Sequence, residues 1–295
     1  MYTLRLFSDP EFRQGFLVHG PNHGDGYVGA ILPCTPAPTD CASSESEQAP
    51  KWRVAQWASR HELSSGKIQS DATGYEARTE TQLVRVDYTE RGSILRLSLD
   101  ASGEYDSPRR AGEAWPHLLI EQTTLGERCP TLDRVTALKL RVRSRILDCK
   151  CHMESPDPSL HCAQTTLFFT VSDSAHNDMW WFGVPIFDNR EYVRAEYMAL
   201  DLGKDDCTGK FIYTAAQTEF TDKSFHSFGE WIDYDRDILP LIARGTHEAK
   251  RRGYTKSDSL SDYRLTTMNL GWEITGTYSA AMEISRLSLE AVIGD

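Results

Sequence analysis

No apolar run in this 295-residue chain approaches the roughly 20 residues that a helix needs to cross a bilayer, so no membrane partner is expected. The amino terminus, Met1 to Ser8, lacks a basic segment followed by an apolar one and instead alternates like a strand. A conventional export signal is therefore not expected, and the cytoplasm is the expected compartment. Gly-x-Ser-x-Gly, Gly-x-Gly-x-x-Gly behind a strand and Gly-x-x-x-x-Gly-Lys-Ser/Thr are all missing. Their absence removes the common hydrolase, dinucleotide and P-loop signatures, and no cofactor is expected. Basic residues are the minority, 32 Lys and Arg against 43 Asp and Glu, for a formal net charge of −11. Neutralising phosphates takes clustered cations, so nucleic acid is not an expected partner despite the small cluster Lys250-Arg251-Arg252. The seven cysteines, an odd number, suit free thiols better than a disulfide framework. There is no internal repeat.

What is present is enough apolar material for a large core. With 40% hydrophobic and 25% charged residues, the chain is expected to fold as one domain over 1–295. Short alternating runs recur with turn residues between them: Tyr27 to Leu32, Trp52 to Ala58, Ala77 to Tyr88, Ser93 to Asp100, Trp115 to Thr124, Ala137 to Leu147, Thr165 to Ser172, Met179 to Phe187, Glu196 to Asp201 and Lys210 to Ala215. Glu90-Arg91-Gly92 between two such runs reads as a hairpin turn. Many strands and one good helix predict an all-β antiparallel sandwich. The helix is expected over Asp235 to Arg252. Asp233, Asp235 and Asp237 would supply negative charge at its start, Pro240 would lie in its first turn, and Gly253 would end it. Its modest apolar stripe puts it on the outside of the sandwich. Residues 34–50, rich in Pro, Ser, Thr and Glu, read as a disordered-like surface loop.

Three constellations carry conceivable chemistry away from the sheet. Cys149, Cys151, His152, His161 and Cys162 have the residue types of zinc ligands but not the usual spacing, and no metal site is expected from them. Asp201-Leu202-Gly203-Lys204-Asp205-Asp206 reads as a solvated acidic turn rather than a calcium loop. Gly20 to Gly26, with three glycines in seven residues, reads as a tight turn that holds Asp25.

The sheet itself is more informative. Alternation puts Trp115, His117, Leu119 and Glu121 on one side of a strand, opposite Leu118 and Ile120. Near the carboxyl end, Leu270, Trp272 and Ile274 share a core face, while Asn269, Gly271 and Glu273 share the other. This run and Ala281 to Leu289, joined at Ser279-Ala280, read as a closing antiparallel hairpin. In Asp178-Met179-Trp180-Trp181 the two tryptophans point to opposite faces, so that one, taken as Trp180, stays available to a ligand. Arg190 follows at the strand end. Aromatic rings stack on sugar C–H faces, and Asp178, Arg190, Asn269, His117 and the two glutamates can bond hydroxyls, so a carbohydrate is the expected ligand.

The run Leu270-Gly271-Trp272-Glu273-Ile274-Thr275-Gly276-Thr277-Tyr278, the Trp115 to Gln122 strand and the strands between them resemble the jelly-roll sandwiches of the concanavalin A-like lectin and glucanase group. The resemblance implies two curved antiparallel sheets with sugar on the concave one. Glucanases of the group carry a carboxylate pair there, a role that only Glu121 and Glu273 match in this chain. The absent export signal departs from the group's habit. A carbohydrate-binding protein using Trp115, Asp178, Trp180, Arg190 and Asn269, a glycoside hydrolase or lyase using Glu121, Glu273 and His117, and a protein-interaction domain all remain open. In a hydrolase the two carboxyls should lie about 5 to 5.5 Å apart for retention, or about 6.5 to 9.5 Å for inversion.

Overall fold

The computed structural model describes residues 1–22, 24–33, 49–202 and 207–294. Nine strands form one sheet in the spatial order β13 (Tyr197–Leu200), β14 (Phe211–Thr214), β12 (Asp178–Asp188), β11 (Ala163–Asp173), β16 (Tyr263–Ile274), β9 (His117–Gln122), β4 (Trp52–Ala55), β2 (Phe16–His19) and β3 (Tyr27–Ile31). The second sheet runs β15 (Ile232–Asp237), β10 (Val135–Cys151), β17 (Tyr278–Ile293), β8 (Gly92–Asp100), β7 (Gln82–Thr89), β6 (Gly74–Arg78) and β5 (Lys67–Asp71). Its eighth strand, β1 (Tyr2–Arg5), pairs with the distal end of β17. Pairing is antiparallel apart from β12 with β14 and β2 with β4.

Period-two alternation explains how the sheets stack. Leu95, Leu97 and Leu99 of β8 and Met282 and Ile284 of β17 face Met268, Leu270, Trp272 and Ile274 of β16 in one contiguous buried cluster. The Trp272 indole N–H donates to the Leu97 carbonyl at 3.1 Å, so this large side chain between the sheets also satisfies its only polar group there. The result is a jelly-roll antiparallel sandwich.

The expected closing hairpin does not form. β16 and β17 follow one another in sequence but lie in different sheets, and the turn between them falls at residues 275–277 rather than at Ser279-Ala280. Alternation reports which residues are buried, and it reads the same for strands that pair and for strands that face each other. The expected run from Ala77 to Tyr88 is likewise two strands, β6 and β7, with a turn closed by the Thr79 N–H to the Gln82 carbonyl at 2.9 Å.

The helix, α1 (Leu239–Arg251), starts later than expected. Asp233, Asp235 and Asp237 lie on β15 opposite Arg143, Arg141 and Lys139 of β10, and Asp237 also meets the helix start, its carboxylate accepting from the Leu239 N–H at 3.1 Å. An Asp-x-Asp-x-Asp run facing Arg-x-Arg-x-Lys is a cross-strand charge ladder, with Arg141 to Asp235 at 3.1 Å and Arg143 to Asp233 at 3.4 Å. Pro240 does sit in the first turn, and Gly253 ends the helix at φ +78°. α1 lies at the margin of the sandwich, yet it packs on a core-facing surface, with Gly245 against the rings of Trp180 and Tyr213. The expected loop falls mostly on residues 34–48, outside the described residues, as do residues 203–206 of the acidic turn. In the glycine-rich turn between β2 and β3, Asp25 accepts from the Asn22 N–H at 2.9 Å.

Candidate functional site

The strand register assembles the site on the outward face of the nine-stranded sheet. Glu121 lies opposite Asn269 on one side and Arg53 on the other, and Asn269 in turn lies opposite Phe168. Two residue pairs along the same strands, a second row runs Asp188, Gln164, Glu273, His117. Trp57 continues this row, its carbonyl accepting the His117 N–H at 3.0 Å. Between the rows sits Gly271, opposite Leu119. A Cβ at Gly271 would lie 2.0 Å from the Leu118 carbonyl oxygen, so β9 and β16 approach there as closely as only glycine allows.

His117, 4% exposed, is held between Trp115, stacked at 5.9 Å between ring centroids, and Trp57, edge-on at 5.7 Å. Its Nε2 stands 3.8 Å from Oε1 of Glu273. The other oxygen of Glu273 accepts from the Gln164 side-chain amide at 2.9 Å, and the Gln164 carbonyl oxygen accepts from Arg190 at 3.4 Å. Arg190 and Arg194 both clamp the buried Asp188, each at 2.6 Å. Burial works against ionisation of Asp188, but the bonds and charges of the two guanidinium groups win and hold its carboxyl below the usual range. A chain of charge-assisted bonds thus fixes the Glu273 carboxylate upright between its neighbours.

Glu121 is in a different condition. It is 8% exposed, and its carboxyl makes no hydrogen bond or ion pair with any described residue. Burial pushes its carboxyl up to about 7, with Arg53 offsetting only part of the effect. Near neutral pH it is therefore divided between acid and carboxylate, able both to donate and to accept.

The two glutamates share the face as expected, but they do not oppose one another. His117, which faces Glu273, is four residues from Glu121 on β9, an offset of about 13 Å along the strand at the usual rise. The near neighbour of Glu273 is His117, and that of Glu121 is Asn269. The remaining expected ligand residues divide. Trp115 lies just before β9 with the Arg109 guanidinium 4.7 Å over its ring. Trp180 is fully buried against α1, so the outward tryptophan is Trp181, edge-on to Phe168 at 6.3 Å. Asp178 is at the opposite end of β12 from Asp188 and binds Lys210 at 2.7 Å, away from the other site residues. Arg190 is committed to Asp188 and reaches the site through Gln164. Arg53, Trp57, Gln164 and Arg194 were not expected. Each sits on a strand or loop whose place in the sheet order is set by long-range pairing, which local alternation does not carry.

Both ring nitrogens of His161 are engaged, Nδ1 with the Asp157 N–H at 3.0 Å and Nε2 with the Arg109 carbonyl at 2.8 Å. Among the described residues no group of three or more His, Cys, Asp and Glu is placed to hold a metal ion. No described helix is long and apolar enough to cross a membrane.

No family model and no curated protein matches the chain. Solved structures with a similar fold include an endoglucanase from Rhodothermus marinus, at 9% identity and a TM-score of 0.38 over 78% of this chain and 97% of that one. A family 12 xyloglucanase from Bacillus licheniformis matches at 8% identity and 0.42 over 81% and 100%, respectively. Endoglucanase 3 of Trichoderma harzianum matches at 6% identity and 0.36 over 86% and 100%. Likeness at this level carries no inference about the chemistry of this chain.

Proposed function

We propose that the outward face of the nine-stranded sheet holds a carbohydrate chain, and that residues 1–295 serve this purpose as one sandwich domain. The observation that carries the reading is Glu121. Its side chain is only 8% exposed on an outward face, its carboxyl has no partner among the described residues, and burial favours its protonated form, so it is placed to bond a ligand rather than the protein. Sugar hydroxyls suit it because they donate to the carboxylate and accept from the acid. Trp57, Trp181 and Phe168 offer rings to stack on pyranose faces, and Asn269, Gln164 and Arg53 offer directional bonds.

Glycoside hydrolysis is the second reading, favoured by the placement of Glu273. A fixed carboxylate 3.8 Å from a histidine has the parts for proton transfer to or from a glycosidic oxygen. The strand offset between Glu121 and Glu273 does not suit a two-carboxylate mechanism, so turnover would run through Glu273 with His117. A glycan array followed by a reducing-end assay on each hit separates the readings. Trp181→Ala should weaken binding of any hit about tenfold under either reading. If no glycan is retained, the carbohydrate reading fails.

A further inference from the structure

We propose a second ligand site on the opposite sheet, independent of the carbohydrate face and selective for a singly charged sugar acid. The exposed surface of the eight-stranded sheet carries a groove of about 360 Å³ lined by β6, β7, β8, β17 and the end of β10. That volume falls within the range of small-molecule sites and far exceeds what an inorganic anion fills. Leu83, Ser98 and Ala281 lie in one register row across three strands, and Arg85, Arg96 and Glu283 form the next.

The polar groups are not balanced by the protein. Arg85 is committed to Asp87 and Arg78 to Glu76, and Glu283 is committed to Arg145. Arg96 has no carboxylate within ion-pairing distance among the described residues, and its buried Nε donates to nothing. Beside it the Ser98 hydroxyl is also buried without a partner. An unspent guanidinium next to an unspent hydroxyl calls for a ligand with one carboxylate and a neighbouring hydroxyl. The small apolar patch of Leu83, Ala281 and Leu147 accepts a ring face. Glu80, Asp100 and Asp148 also line the groove; they repel a second negative charge and accept from ligand hydroxyls. A uronic acid has this combination, whereas a phosphate, a dicarboxylate and a neutral sugar each lack part of it.

Titration calorimetry with sodium glucuronate, with glucose and sodium sulfate as controls, tests the site. Glucuronate should bind with a millimolar or tighter Kd and neither control should compete. Arg96→Gln should weaken glucuronate at least tenfold and Ser98→Ala several-fold. If Arg96→Gln fails to fold, the Ser98→Ala result decides. Absence of glucuronate binding, equal binding of glucose, displacement by sulfate, or undiminished binding in both groove variants would overturn the proposal.

Discussion

Two glutamates on one face have been given opposite environments. Glu273 is bonded and flanked by a histidine; Glu121 is buried, and its carboxyl has no partner among the described residues. The folded protein holds the Glu121 proton up to about 7, above the value in an open chain, so between roughly pH 4.5 and 7 the native state binds more protons than the unfolded state. Stability attributable to this group therefore falls as pH rises through that window and stays low above it. Glu121→Gln should leave the melting temperature near pH 5 almost unchanged and raise it at pH 8, where the gain in stability is on the order of 3 kcal/mol before relaxation. A thermal melt series across pH checks this, and an unchanged profile would mean that Glu121 is solvated. Glu273→Gln separates the functional readings. In a hydrolase it should abolish turnover and leave glycan affinity within a few-fold. In a binding protein it should cost about 1 to 3 kcal/mol of affinity with no turnover to lose. Alternation along single strands was enough to put His117, Glu121, Asn269 and Glu273 on one face. Which of them stand opposite each other depends on the β9 to β16 register, a pairing across about 150 residues that no local pattern encodes.

At the scale of elements, the least expected contact is the one under α1. Gly245 is a poor residue for a helix interior by propensity, yet a Cβ there would lie 2.5 Å from the Trp180 ring and 2.6 Å from the Tyr213 ring. Gly245→Ala should thus destabilise despite the gain in helix propensity, since overpacking costs about 1 to 3 kcal/mol against at most about 1 kcal/mol recovered. A melting temperature lowered by a few degrees is expected, and an increase would show that the helix can shift outward. The same contact explains why Trp180 rather than Trp181 is buried. Adjacent tryptophans must point to opposite faces, but only the packing of α1 decides which face is closed. The aspartates before the helix were misleading for a related reason. Alternating acids read equally well as an N-terminal charge cluster or as one side of a strand, and the complementary Arg141 and Arg143 lie about 90 residues earlier.

For the molecule as a whole, both sheets depend on strands that come late in chain order. β17 sits between β10 and β8, and β16 between β11 and β9, so each is an interior strand of its sheet. The crossing at residues 275–277 makes them the hinge pin of the sandwich rather than a local hairpin. During synthesis, at about 5 to 20 residues per second, strands β1 to β15 must leave the ribosome with neither sheet closed. Their exposed edges and apolar faces then wait for partners of high sequence separation, a topology that folds slowly. A chain ending after Gly276 should therefore be captured by chaperones and cleaved rapidly by trypsin, although it retains sixteen of the seventeen described strands. Pulse proteolysis of stalled nascent chains should show protection arising only after β17 emerges. Early protection would mean that the nine-stranded sheet folds without its partner.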